Sequence, residues 1–249
     1  RSTLDRSSAA SDVYKRQDGI RWHFITVSNP WVTKRYDPAT VRENSRKLLD
    51  TILNIYRFFA LYANAEDWSL SDKDPTPADR SLLDRWLISR LMSVVAEVRE
   101  ELDSYQITRA YRVLGEFVSE ELSNWYVRRS RPRFWGNVDN SDARAAYRTL
   151  WDSLRTVCLL LAPATPFMAD WIHHGLTGKS VHLEPFPEAD IDSIDQNLEE
   201  EMSAVRTLVS LGRATREGAK VRVRQPLQKL FAVVPGSLQV RPEVMELLK

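Results

Sequence analysis

The sequence predicts a mainly α-helical protein: an antiparallel helical bundle followed by the start of a small α/β subdomain. Apolar residues recur at spacings of three, four and seven through most of residues 38–178, the period of helices with one buried face. The breaks between these stretches carry Asp, Thr and Pro where helices begin. Eight tryptophans against eight glycines in 249 residues suit a bulky helical core.

Residues 1–17 are rich in Ser and charge and have no apolar period. They read either as an adaptor-like sequence joined to a partial gene or as a disordered leader. The first methionine is Met92, and the chain stops within what looks like a continuing element, so a piece of a longer protein is expected. In residues 18–37, GIRWHFITV (Gly19–Val27) is a short apolar-aromatic run, either a strand or a helical turn.

Asp37-Pro38 then supplies an N-cap and a first-turn proline. A helix is predicted from Pro38 to Ala65, with Val41, Leu48, Leu49, Ile52, Ile55, Phe59 and Tyr62 on its apolar stripe. Thr76-Pro77 with Asp79 repeats the start signal for a second helix through Leu83, Trp86, Leu87, Leu91, Val94, Val98 and Leu102. A third is predicted over Ile107–Arg129, with a turn at Pro132–Asn140. A fourth follows over Asp142–Leu161, and a fifth from Thr165-Pro166 to about Gly175. Each has one apolar stripe, so the stripes must be buried against one another, and short links favour antiparallel neighbours.

After Gly178 the pattern changes. Val181-His182-Leu183 reads as an extended piece, and residues 179–197 as a solvated acidic linker. Glu184–Glu201 holds eight acids and no Lys or Arg. Residues 198–249 read as an incomplete α/β subdomain: a helix over Leu198–Glu217, then strands at Lys220–Arg224, alternating basic and apolar, and at Leu230–Val234.

Composition bounds the function. The chain is 43% hydrophobic and 28% charged with a net charge of +1, so affinity for nucleic acid requires local patches. No run approaches the roughly 18 apolar residues of a membrane span. The single cysteine, Cys158, excludes a disulfide framework and a cysteine-rich zinc site within this stretch, and fits a reducing, intracellular setting. There is no nucleotide-binding glycine loop, and the four histidines lack metal-ligand spacing. No catalytic constellation and no metal site is expected.

The strongest local feature is NWYVRRSRPRFW (Asn124–Trp135). Arg128, Arg129, Arg131 and Arg133 stand here without an acid, beside Trp125, Tyr126, Phe134 and Trp135. Guanidinium forks pair with phosphates, and aromatic faces stack on unpaired bases. The same residues also suit a helix C-terminus with core indoles, the arginines capping carbonyls or pairing with acids of neighbouring helices. A second basic stretch, Arg213–Lys229, includes Arg222 and Arg224 on the predicted strand; it reads equally as a path for an RNA backbone or a charged edge strand.

NWYVRRSRPRFW resembles the arginine signature of isoleucyl-tRNA synthetases, and VRVRQPL (Val221–Leu227) a later element of the same enzymes. PWVTKRYDP (Pro30–Pro38) and FFALYAN (Phe58–Asn64) resemble the segments around the first helix of their anticodon-binding domain. LAPATPFMAD (Leu161–Asp170) and SVHLEPFP (Ser180–Pro187) fit the wider class Ia pattern. The resemblance runs in order over about Asp18–Lys229. Pro132 departs from it, standing where the family usually has arginine, and removes one charge and one backbone donor.

The resemblance implies the anticodon-binding helical bundle and the start of a C-terminal junction, from a cytoplasmic, monomeric enzyme that forms isoleucyl-tRNA with ATP and magnesium. It implies that the catalytic and editing domains lie elsewhere in that enzyme, that this stretch holds no cofactor, and that alone it is inactive. The family's Asn and Arg facing the anticodon match Asn54 and Arg57, and Trp125, Arg128, Arg129, Arg131 and Arg133 are carried over as tRNA-proximal or fold-organising. Arg222 and Arg224 join them by charge and family position. A helical protein–protein scaffold and a general single-stranded RNA binder remain as alternatives.

Overall fold

The computed structural model describes residues 16–34, 36–135, 140–222, 225–229, 231, 233 and 240–248, with residue 248 described by its backbone alone. The chain divides into two units, Arg1–Ser193 and Ile194–Lys249. Among the described residues there is no strand, and no helix is long and apolar enough to cross a membrane.

The first unit is a helical bundle. Residues 16–26 form helix α1, so GIRWHFITV is helical rather than extended. Trp22 and His23 are buried, and Trp22 meets the ring of Tyr111 edge-on at 6.1 Å. The buried Asp18 carboxylate accepts from the backbone N–H groups of Phe167 and Met168, which ties α1 to the first turn of a later helix. At its other end, Thr108 and Arg112 donate to the carbonyls of Ile25 to Ser28.

Helix α2 spans Pro38–Ala65, the bounds expected from its cap. Asp37 accepts from the N–H groups of Ala39 and Thr40. The next start signal behaves differently. Pro77–Asp79 forms a separate 3-10 turn, because the Thr76 hydroxyl binds the Asp79 carboxylate instead of a backbone N–H. Helix α3, Leu82–Asp103, is capped by Ser81.

Helix α4, Ile107–Glu116, continues without a break into a π-helical stretch, Phe117–Val127, and then into α5, Arg128–Phe134. The expected third helix thus carries a long change of winding, and Pro132 lies inside α5 rather than in the turn after it. Helix α6 covers Ser141–Leu161 behind an Asn140 cap, and α7 covers Pro166–Thr177. Gly178 follows at φ 74°, the left-handed conformation in which glycine has no Cβ to clash.

The core lies among α2, α3, the π stretch and α6, where Trp86, Phe117, Tyr126, Phe134 and Tyr147 are all buried. The expected linker is not a free tether in its first half. Val181–Leu183 is a 3-10 turn, Arg99 of α3 donates to the carbonyl of Pro187, and Arg155 of α6 pairs with Glu184 at 3.3 Å.

The second unit is built on α8, Gln196–Gly218, whose buried Leu198, Met202 and Val205 face the short helix α9, Pro242–Met245. Glu201 accepts from the side chain of Arg241 at 2.8 Å and from its backbone N–H at 3.0 Å. Lys220 has φ 55°, which turns the backbone where the first predicted strand was to begin. Val221 and Arg222 form no ladder. The rest of that strand (Val223, Arg224) and most of Leu230–Val234 lie outside the described residues.

Candidate nucleic-acid interface

The arginine–aromatic cluster occupies the end of the π stretch and all of α5, where the structure sorts residues that look alike in sequence. Trp125 faces inward, 8% exposed, and Arg129 lies over its ring at 4.2 Å. The Trp125 indole nitrogen is buried without a hydrogen-bond partner among the described residues.

Arg133 also turns inward. Its Nη1 and Nη2 donate to the two oxygens of Asp84 at 2.9 and 2.6 Å, and its Nε donates to Asp142 at 2.9 Å. Tyr126 donates to the same Asp84 at 2.6 Å. Burial first, and then the Asp84 charge, raises the Tyr126 pKa well above the usual tyrosine value, so its hydroxyl stays a donor. The group Asp84, Tyr126 and Arg133 is a buried clamp between α3, the π stretch and α5. Four of the five N–H donors of Arg133 are taken by Asp84 and Asp142, which assigns it to the fold.

Arg128 and Arg131 point outward and have no partner among the described residues, and Trp135 is 63% exposed. At spacings of three and four they form one outward stripe. Helix α2 carries a matching stripe: Asn54, Arg57 and Leu61, all exposed, at the same spacing. Two contacts join the helices. Phe58 meets Phe134 edge-on at 5.0 Å, and the indole N–H of Trp135 donates to the Tyr62 hydroxyl at 3.0 Å. The Tyr62–Trp135 bond thus ties the α5 stripe to α2.

The two joined helices thus carry exposed guanidinium groups at Arg57, Arg128 and Arg131, an exposed indole at Trp135 and an exposed amide at Asn54. Such a surface suits a single-stranded nucleic acid, with cations for the backbone and a flat face for a base. In sequence, Trp125 and Trp135 read alike, either as stacking faces or as core; the structure buries the first and exposes the second. Tyr62, read as part of the buried stripe, holds the exposed indole in place, and nothing in its own neighbourhood marks that role.

The second basic stretch is only partly described. Arg222 is exposed, while its carbonyl and that of Gln225 accept from Nη1 of Arg216 at 3.1 and 2.8 Å. Arg224 lies outside the described residues. Among the described residues no three or more His, Cys, Asp or Glu gather to hold a metal ion.

A family model described as the anticodon-binding domain of tRNA ligase matches residues 84–231, more than half of the chain. The chain belongs to this family. The match covers α3 to α8, and so includes Asp84, α5 and Trp135. Curated relatives agree with it. The chain is 45% identical over 213 residues to isoleucine–tRNA ligase 2 of Bacillus thuringiensis subsp. konkukian, covering 86% of this chain and 20% of that protein. It is 43% identical over 234 residues to isoleucine–tRNA ligase of Streptomyces coelicolor, covering 91% and 22%. The chain therefore spans about a fifth of the length of these curated relatives. Among solved structures, the Agrobacterium radiobacter K84 agnB2 LeuRS, in a ternary complex with tRNA and LeuAMS, resembles it with a TM-score of 0.55 and 15% identity. That match covers 74% of this chain and 21% of the other, and supports the bundle fold.

Proposed function

We propose that this anticodon-binding domain serves an isoleucine–tRNA ligase and grips the anticodon arm of its tRNA on the joined stripes of α2 and α5. The observation that carries the proposal is the Tyr62–Trp135 contact, which ties α5, with exposed Arg128, Arg131 and Trp135, to α2, with exposed Asn54 and Arg57. Arg128, Arg131 and Arg57 take phosphates, Trp135 offers a face to a loop base, and Asn54 offers an amide to a base edge. Loops expose such edges, whereas an RNA duplex hides them in a deep groove. Arg222 and Arg224 are, by charge, phosphate contacts in their own right.

The parent enzyme, on this reading, is a cytoplasmic monomer that joins isoleucine to tRNA using ATP and magnesium. The sequence has no phosphate-cradling glycine loop, and the described residues gather no group of three or more His, Cys, Asp or Glu for a metal. No step of the ligation is therefore assigned to them, and the domain alone is expected to bind without catalysing.

Fluorescence anisotropy with labelled isoleucine tRNA, titrated across a range of salt, tests the proposal. Binding is expected to weaken steeply with salt, with the double variant Arg128→Gln, Arg131→Gln reducing the log–log slope by about 1.5, since each phosphate contact contributes roughly 0.7–0.9. A salt-independent signal, or a slope unchanged in that variant, would exclude these arginines as the backbone contact. Competition by a non-cognate tRNA separates an anticodon reader from a general single-strand binder.

A further inference from the structure

The segment after α7 runs over α6 and α3 as a strap, and guanidinium groups rather than apolar side chains hold it there. We infer that residues 184–193 are a salt-sensitive clasp: closed, it shortens the tether of the second unit, and open, it lengthens it. The inference rests on contacts within the first unit and stands apart from the RNA reading.

The upstream end of the strap is fixed. Asp170 of α7 accepts from the Ser180 hydroxyl at 2.6 Å and from the Val181 backbone N–H at 2.9 Å, and the Val181 side chain is buried. Beyond this point the anchoring changes character. Arg155 of α6 pairs with Glu184 at 3.3 Å. Arg99 of α3 serves three consecutive strap residues. Its guanidinium lies over the Phe186 ring at 5.8 Å, donates to the Pro187 carbonyl at 3.0 Å and approaches the Glu188 carboxylate at 4.0 Å. The N–H of Asp190 donates to the Met92 sulfur at 3.4 Å, a weak acceptor.

Apolar burial contributes little to this closure. Leu183 is 86% exposed and Ile191 is 66% exposed, so neither end of the clasped stretch gains much from leaving water. Phe186 is only half-buried. What remains are partly exposed ion pairs, which are weak singly and screened by salt. Pro185 and Pro187 act in the other direction, since a stiffer open strap has fewer conformations to lose on closing. A strap pinned at one end by hydrogen bonds and held along its length by screened charge has two states close in free energy.

Opening changes the connection to the second unit. In the closed strap the 3-10 turn Ile191–Ser193 also packs on α3, which leaves residues 194–195 before α8. In the open strap residues 184–195 are all free of the bundle. The span available at full extension grows from about 7 Å to about 40 Å. The effective concentration of the second unit at any point on the first falls as the tether lengthens. Ionic strength thereby sets the reach of the second unit.

The test uses the full 249-residue chain. A fluorophore on the thiol of Ile191→Cys reports strap motion by its anisotropy, since Cys158 is fully buried. A Glu-specific protease reports it independently, with a free peptide of the same sequence as the rate standard. The Glu188–Ala189 bond is open to such an enzyme once the strap is released, whereas Pro185 protects the bond after Glu184. As salt rises, anisotropy should fall and cleavage after Glu188 should speed up, with the circular dichroism of the bundle unchanged. Arg99→Gln should shift both changes to lower salt and speed low-salt cleavage about tenfold, the loss of one hydrogen bond from a charged group. Glu184→Gln should act in the same direction, and because it lies outside every bundle helix it keeps the test decisive if Arg99→Gln disturbs α3. Two results overturn the inference. One is anisotropy and cleavage that respond neither to salt nor to Glu184→Gln in a folded chain. The other is cleavage that begins only as the circular dichroism of the bundle is lost.

Discussion

Both carboxylate oxygens of Asp84 are held by Arg133, 49 residues away in sequence, at 2.9 and 2.6 Å. Asp84 is fully buried, and α3, the π stretch and α5 converge on it. Removing either partner would leave the other charge stranded away from water, which typically costs about 3–5 kcal/mol. Arg133→Ala should therefore lower the unfolding free energy from urea titration by that order. RNA affinity per folded molecule should stay near native, unlike that of the Arg128 and Arg131 variants. A variant with native stability and lost binding would move Arg133 from the clamp to the interface.

The two tryptophans of the signature should separate in the same pair of assays. Trp125 is 8% exposed and Trp135 is 63% exposed. Trp125→Ala empties a core site and should cost about 3 kcal/mol of stability. Trp135→Ala should leave the melting curve nearly unchanged and weaken tRNA binding by about 1–2 kcal/mol, the contribution of one base stack. Equal effects of the two substitutions in either assay would contradict their assignment to opposite faces.

Cys158 is fully buried in α6, and burial pushes its thiol pKa far above the usual range. A thiolate is the reactive form, so the folded chain should not react with a thiol reagent at neutral pH. Reaction should appear only as the bundle unfolds and should follow its unfolding rate. Rapid labelling under native conditions would show that α6 opens locally.

The N-cap of α2 should carry a pH dependence. Hydrogen bonds from the Thr40 hydroxyl, then from the backbone of Thr40 and Ala39, hold the Asp37 pKa below 3.8. A carboxylate with a lowered folded pKa stabilises the folded state above its unfolded pKa, and that contribution fades as pH falls through the folded value. The melting-temperature gap between the native chain and Asp37→Ala should therefore be constant near neutrality and narrow as the pH drops below 3.8. A gap that widened on acidification would mean that the cap acts through something other than this charge.

Much of the bundle was legible from local chemistry. Asp37-Pro38 fixed where α2 begins because a cap acts within its own turn. The start of α3 was misplaced because Thr76 and Ser81 both precede an acid by three residues, and only folded geometry shows which hydroxyl takes a backbone N–H. The winding change after Glu116 left no mark in composition, since it alters hydrogen-bond partners rather than residue types. The four signature arginines look equivalent along the chain, and what separates Arg133 is an aspartate on a distant helix. One clue was present: Asp84 interrupts the apolar run of Leu83, Trp86 and Leu87, and a buried acid demands a cation. Lys220 gave no comparable warning, since few sequence patterns announce a positive φ at a lysine.

The π stretch Phe117–Val127 has a consequence for how this domain tolerates change in length. Because i to i+5 bonding winds more loosely than the α-helix, it sets the angle at which the following turns face outward. Losing a single codon within it would swing Arg128, Arg131 and Trp135 around the axis together. Most point substitutions there would leave their bearing intact. Relatives that shorten this stretch by one residue should therefore present a different face to their RNA, even where every arginine is kept.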